Sequence, residues 1–90
     1  MKWVEIIKLR SAGKDYEPLK AFLSAIAENG QRGLIETRIY RHAAWETDWA
    51  LHLGWESKGP EKNGSALGLR LSQALEKFGL VDHSVWIEED

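Results

Sequence analysis

"GLIETRIYRHAAWETDWALHLGWE", residues 33–56, decides the fold. Two strand-like runs, 34–43 and 47–56, alternate apolar with polar side chains, and their parity fixes how they pair. For Ile35, Ile39 and Ala43 to share a face with Thr47, Trp49, Leu51 and Trp55, opposite residues must have numbers that add to an even value. A sum of 90 does this: it sets Ala43 against Thr47 and leaves 44–46 as the loop of a hairpin. A slip of one residue would turn every Leu and Trp of the second run to the wrong side. The reverse face then collects Glu36, Arg38, Tyr40, His42, Asp48 and His52, with His42 opposite Asp48 and Arg38 opposite His52.

Working outward, residues 3–10 read as a first strand, and "SAGKD" supplies a glycine and, at Asp15, an oxygen able to cap a helix. Between Tyr16 and Glu28, Leu19, Phe22, Leu23 and Ile26 recur at the spacing of one buried helical face, with Pro18 tolerated in the first turn. Asn29 and Gly30 end that helix. After the loop "SKGPEKNG", Ser65 caps a second helix striped by Leu67, Leu71, Ala74, Leu75 and Phe78. Gly79 stops it, Leu80 is placed to fold back on Leu75, and Leu69 points away from the stripe as a contact for another subunit. The last strand, 81–88, puts Val81, His83, Val85 and Ile87 on one face.

The order β-α-β-β-α-β predicts a ferredoxin-like α+β layer, with a four-stranded antiparallel sheet in the order 4-1-3-2 and both helices on one face. Odd-numbered strand residues belong under the helices. Val4, Ile6, Tyr40, Ala50 and Trp86 fall among charges on the uncovered face, a pattern that usually meets a partner. Ninety residues without low-complexity sequence make a single domain, 1–90, and a chain of this size hides only about 60–65% of its unfolded surface, so a second copy would help. Twelve basic against 14 acidic residues give a net charge of -2, which argues against nucleic acid or an anionic membrane as partner. The lack of a long apolar run and of a signal-like amino terminus reads as cytoplasmic. Zero cysteines exclude disulfides, thiolate metal sites and cysteine nucleophiles.

The two amphipathic helices alternating with "WVEIIKLRS", "GLIETRIYRHAAWETDWALHLGWE" and "VDHSVWIEE" resemble the dimeric α+β barrel superfamily, particularly its antibiotic biosynthesis monooxygenase branch. The resemblance covers nearly the whole chain and rests on element order, strand length and the tryptophan-bearing third strand. It implies a homodimer in which two uncovered sheet faces meet, with any ligand cavity between each sheet and its own helices. Relatives that bind haem place a histidine on the second helix, where "SALGLRLSQALEKFG" has none, and Glu5 stands where haem-degrading members carry an asparagine. No nicotinamide or flavin fingerprint is present. The resemblance therefore implies a cofactor-independent monooxygenase acting on a small aromatic or polyketide-like substrate.

Two polar residues interrupt apolar strand faces: Glu5 between Trp3 and Ile7, and His83 between Val81 and Val85. Strands one and four are antiparallel neighbours in the expected order, which sets these two opposite or diagonal. As catalytic residues, His83 would be a general base and Glu5 its orienting carboxylate, with Trp49, Trp55, Phe22 and Phe78 as apolar substrate walls. The same pair also reads as a structural hydrogen bond tying two strands. Burial raises a carboxyl pKa and an imidazolium neighbour lowers it, so sequence leaves the balance open. His42, His52, Arg38 and Tyr40 read as interchain hydrogen-bonding groups or a solvated patch, and the five tryptophans as core bulk. No metal spacing, phosphate loop or nucleophile elbow appears. The alternative function is a non-catalytic dimeric module that binds a small hydrophobic ligand or serves only in assembly. An RNA-recognition domain would share the strand order, but "DWALHLGW" lacks its glycine-aromatic pattern. An amino-acid-sensing regulatory domain has the same topology.

Overall fold

The computed structural model describes residues 1–11, 16–28, 31–60 and 63–89, without the side chains of 16, 18, 19 and 26–28. The elements are β1 (Lys2–Ser11), α1 (Tyr16–Glu28), β2 (Leu34–Arg41), β3 (Asp48–Glu56), α2 (Ala66–Leu75) and β4 (Gly79–Ile87). They form one four-stranded sheet in the order β2-β3-β1-β4, the predicted 4-1-3-2 read from the other edge. β1 is central and antiparallel to both β3 and β4. The expected roles of Asp15, Asn29 and Gly30, and of the Pro18, Leu19 and Ile26 side chains, lie outside the described residues.

Odd-numbered strand residues build the core. Trp3, Ile7, Leu9, Leu51, Leu53 and Trp55 cluster with Leu23 of α1 and with Leu71 and Leu75 of α2, which places both helices on that face. Leu53 is fully buried, and Trp3 stacks on its register partner Trp55 with ring centroids 5.4 Å apart. Ser65 caps α2 as expected, accepting the N–H of Gly68 at 2.9 Å.

The hairpin keeps the predicted register, with Arg38 opposite His52 and Ile39 opposite Leu51. It departs from expectation at both ends. The strands stop at Arg41 and restart at Asp48, so Ala43 and Thr47 fall in a longer, exposed connection. At the other end a bulge between Leu34 and Glu36 sets Leu34 opposite Trp55 and frees Ile35 from the alternation. Ile35, expected under the helices, is 57% exposed and lines a groove on the uncovered face. One inserted residue has reversed its side, as a bulge must.

Leu80 is the second correction. It does not fold back on Leu75 but is 75% exposed at the start of β4. The α2 end explains this: Glu76 N–H and Phe78 N–H bond the carbonyls of Gln73 and Leu75, a tight turn that leads straight into the strand. Gly79 then pairs with Ser11 so closely that any Cβ would overlap the Arg10 carbonyl, so its glycine serves strand contact.

Candidate functional site

Glu5 is fully buried, and three elements meet at its carboxylate. On β4, Val85 stands directly opposite Glu5 and His83 opposite Ile7, so His83 reaches Glu5 diagonally, with Nε2 2.7 Å from Oε2. From α2, the Ser65 hydroxyl donates to Glu5 Oε1 while its own oxygen accepts the Gly68 N–H. The pair expected from strand register is therefore in contact, and the cap of the second helix is joined to it. The His83 side chain keeps 14% exposure and Glu5 none.

The fit of α2 over the carboxylate depends on two glycines. A Cβ at Gly68 would overlap Glu5 Oε2, and one at Gly64 would lie 2.5 Å from that oxygen and 2.8 Å from His83 Cε1. Gly64 also holds a positive φ of 92°, which few other residues adopt. The backbone thus comes down onto the Glu5–His83 pair where side chains would hold it off.

This arrangement has a definite hydrogen-bond logic. Glu5 accepts from the Ser65 hydroxyl and, in the Nε2–H tautomer of the ring, from His83, and the partial positive charge of the α2 N-terminus lies over it. In the neutral ring, donation from Nε2 would leave Nδ1 as the nitrogen with a free lone pair. Ser65 is not set up as a nucleophile, because its proton points to the carboxylate rather than to the imidazole. Among the described residues no group of three or more His, Asp or Glu could hold a metal ion.

The aromatic residues expected as substrate walls divide into separate places. Trp55 pairs with Trp3 at one end of β3 and Trp49 with Leu9 at the other, about 20 Å away at the usual rise of a strand. Leu51 and Leu53 fill the interval, at 2% and 0% exposure. Trp55 is buried, while Trp49, Phe22 and Phe78 lie half-buried at the margin of the core. Phe22 and Phe78 contact each other at 6.1 Å, and Lys77 Nζ stands over both rings at 5.5 and 5.2 Å.

Grooves open on the uncovered face. One, of about 490 Å³, is lined by Lys8, Arg10, Tyr40, His42, Asp48 and Leu80 among others. A second, of about 310 Å³, has Val4, Ile35, Gly54 and Trp86 in its walls. His42 Nδ1 accepts the N–H groups of Ala44 and Trp45 at 3.0 and 3.1 Å and stacks on Trp45 at 4.9 Å. Arg10 lies 5.8 Å from the Trp45 ring and 3.5 Å from Asp48. His52, half-buried against Tyr40 at 4.7 Å, has its pKa pushed down by burial and then by Lys8. Glu36, hydrogen-bonded to Arg38, holds that guanidinium above its usual range.

Sequence reading finds Glu5 and His83 but treats Ser65 only as a cap and leaves Gly64 and Gly68 unassigned. The available signal is Gly68, because glycine inside a helix costs about 1 kcal/mol relative to alanine and so marks a close approach.

Together, the β-α-β-β-α-β order, the four-stranded antiparallel sheet and the two helices on one of its sides define a ferredoxin-like α+β fold, with a carboxylate–imidazole pair beneath the second helix. Solved structures agree at the level of the fold. The chain is similar to PA3566 from Pseudomonas aeruginosa, with a TM-score of 0.71 and 13% identity over 99% of this chain and 95% of that one. It is also similar to SnoaB, a cofactor-independent oxygenase from Streptomyces nogalater, with a TM-score of 0.66 and 11% identity over 99% of this chain and 94% of that one. No family model matches the chain, and no curated protein matches it. Among the described residues no helix is long and apolar enough to cross a membrane.

Proposed function

We propose that this chain is a cofactor-independent oxygenase for a small aromatic or polyketide-like molecule with an acidic C–H. The observation that carries this reading is the desolvated Glu5–His83 contact, in which a fully buried carboxylate orients a partly exposed imidazole. His83 Nδ1 takes the substrate proton, leaving a delocalised carbanion. The carbanion passes one electron to O2, and the two radicals join to form a carbon–oxygen bond. The peroxide regains a proton from His83 and eliminates water. A CH2 group and O2 thus become C=O and H2O, with the substrate as the reductant. Phe22, Phe78 and Trp49, at the margin of the core, are the apolar groups proposed to receive the substrate, while Trp55 belongs to the buried stack with Trp3 at the far end of β3. The fold shared with SnoaB supports the assignment without bearing on the substrate.

The reading includes self-association through the uncovered sheet face, supported by the exposure of Ile35 at 57%, Tyr40 at 45% and Trp86 at 57%. Oxygen uptake with anthrone, an enolisable polycyclic ketone, tests the chemistry. His83→Gln should lower kcat by on the order of 100-fold or more while the protein stays folded. Undiminished uptake by that variant would remove His83 from the reaction.

A second reading is a non-catalytic dimeric module that binds a small hydrophobic ligand or only assembles. It is favoured by the placement of both described grooves on the uncovered face and by Leu51 and Leu53 filling the space between Trp49 and Trp55. Anthrone binding without oxygen consumption by the wild-type protein would select it.

A further inference from the structure

We propose that Ser65 is a positioning residue for His83, acting through Glu5 to reserve the Nδ1 nitrogen as the base. The inference rests on the oxygenase reading for its kinetic consequence, but its geometry stands alone. A buried carboxylate held by one hydrogen bond alone can turn about its side-chain torsions and leave the imidazole Nε2 without a fixed acceptor, so that neither ring tautomer is favoured. Here Oε1 is held by the Ser65 hydroxyl, so Oε2 is the oxygen left for His83. Ser65 is itself fixed, since its oxygen receives the Gly68 N–H and its backbone is the N-cap of α2.

The direction of each hydrogen bond follows in sequence. Gly68 N–H donates to Ser65, Ser65 O–H donates to Glu5, and His83 Nε2–H donates to the other Glu5 oxygen. Reversing the last bond would require a protonated Glu5, which the Ser65 donor and the helix N-terminus both oppose. Ser65 thereby acts on the tautomer of a ring it does not touch. Gly64 and Gly68 complete the device: with any larger residue at either position the helix would stand off and the Ser65 bond would lengthen or break.

Two substitutions separate this role from helix capping. Ser65→Gly removes the hydroxyl donor yet keeps an acceptable N-cap residue, and Ser65→Thr retains both functions. The direct readout is the ring-nitrogen NMR spectrum of His83 at neutral pH, recorded on the full chain without substrate. The wild type and Ser65→Thr should show a single Nε2–H tautomer, and Ser65→Gly a mixture of both. With anthrone and oxygen, Ser65→Gly should then lose about tenfold in kcat with KM little changed, and Ser65→Thr should recover it. A Ser65→Gly spectrum identical to wild type, in a folded protein, overturns the inference whatever the kinetics. If the wild type consumes no oxygen with anthrone while Ser65→Gly shifts the tautomer, the oxygenase reading fails and the positioning of His83 by Ser65 stands.

Discussion

The two faces of the sheet use the same alternating strands for opposite purposes. Beneath the helices, Trp3, Ile7, Leu9, Leu51, Leu53 and Trp55 are at most 6% exposed, and Glu5, the one buried charged residue among those described, has its oxygens matched by Ser65 and His83. On the reverse, Tyr40 and Trp86 stay 45% and 57% exposed among Lys8, Arg38, Asp48 and His52. Coverage makes the difference. A charged group under a helix needs a partner inside the fold, because its desolvation without one costs several kcal/mol, whereas on the open face water or a second chain can serve.

The largest test of this contrast is a cavity. Leu53→Ala should cost roughly 2–5 kcal/mol, measured by urea denaturation, while Trp86→Ala should move stability within about 0.5 kcal/mol at concentrations too low for association. Equal losses would erase the distinction between the faces.

Next in size is Gly68→Ala. Helix propensity alone predicts a gain of about 1 kcal/mol, but the new methyl group meets Glu5, so a net loss of roughly 1–3 kcal/mol is expected. Adding Glu5→Ala in the same chain should recover part of it, because the opposing atoms are gone. A stabilised Gly68→Ala protein would mean that α2 does not sit on the carboxylate.

The open face is sharpened by charge. Trp86→Asp should leave the thermal midpoint of the dilute protein nearly unchanged yet shift sedimentation from dimer to monomer. A wild-type protein that sediments as a monomer at high concentration would instead remove the proposed assembly.

The smallest expected effect is a pH dependence at His52, whose folded-state pKa lies below the ordinary 6.5. The unfolded chain therefore binds the proton more readily, and stability rises with pH across the interval between the two values. The contribution is fully present above about 6.5 and is lost as pH falls through the lowered folded value. Comparing the pH dependence of unfolding in wild type and His52→Gln isolates it, and identical slopes would show that His52 is indifferent to folding.

Much of the fold was legible because parity is a local property. Trp49, Leu51, Leu53 and Trp55 declare a strand with one apolar side, and the same count places Arg38 opposite His52. It fails where a single residue breaks the count: the bulge at Leu34/Glu36 sends Ile35 to the reverse face. Leu80 fails for another reason. A glycine after a helix normally permits a left-handed cap, but here Gly79 is already strand, pressed against Arg10 by a contact remote in sequence. Within the candidate site, Glu5 and His83 were visible as polar breaks in apolar strands. Trp49 and Trp55 were visible as bulk, but their separation along β3 required the register to be read as distance.

The sequence by itself determined the element order, the strand pairing, the side of the sheet that would be dry, and the two residues that would be polar within it. Those follow from periods of two and 3.6 residues, which short windows of sequence already express. Only the tertiary structure decided that α2 would descend onto Glu5, that Ser65 would join the pair, and that Gly64 and Gly68 would make room for it. That outcome depends on how closely a helix approaches a sheet, a distance set by the side chains between them and encoded at no single position of the chain.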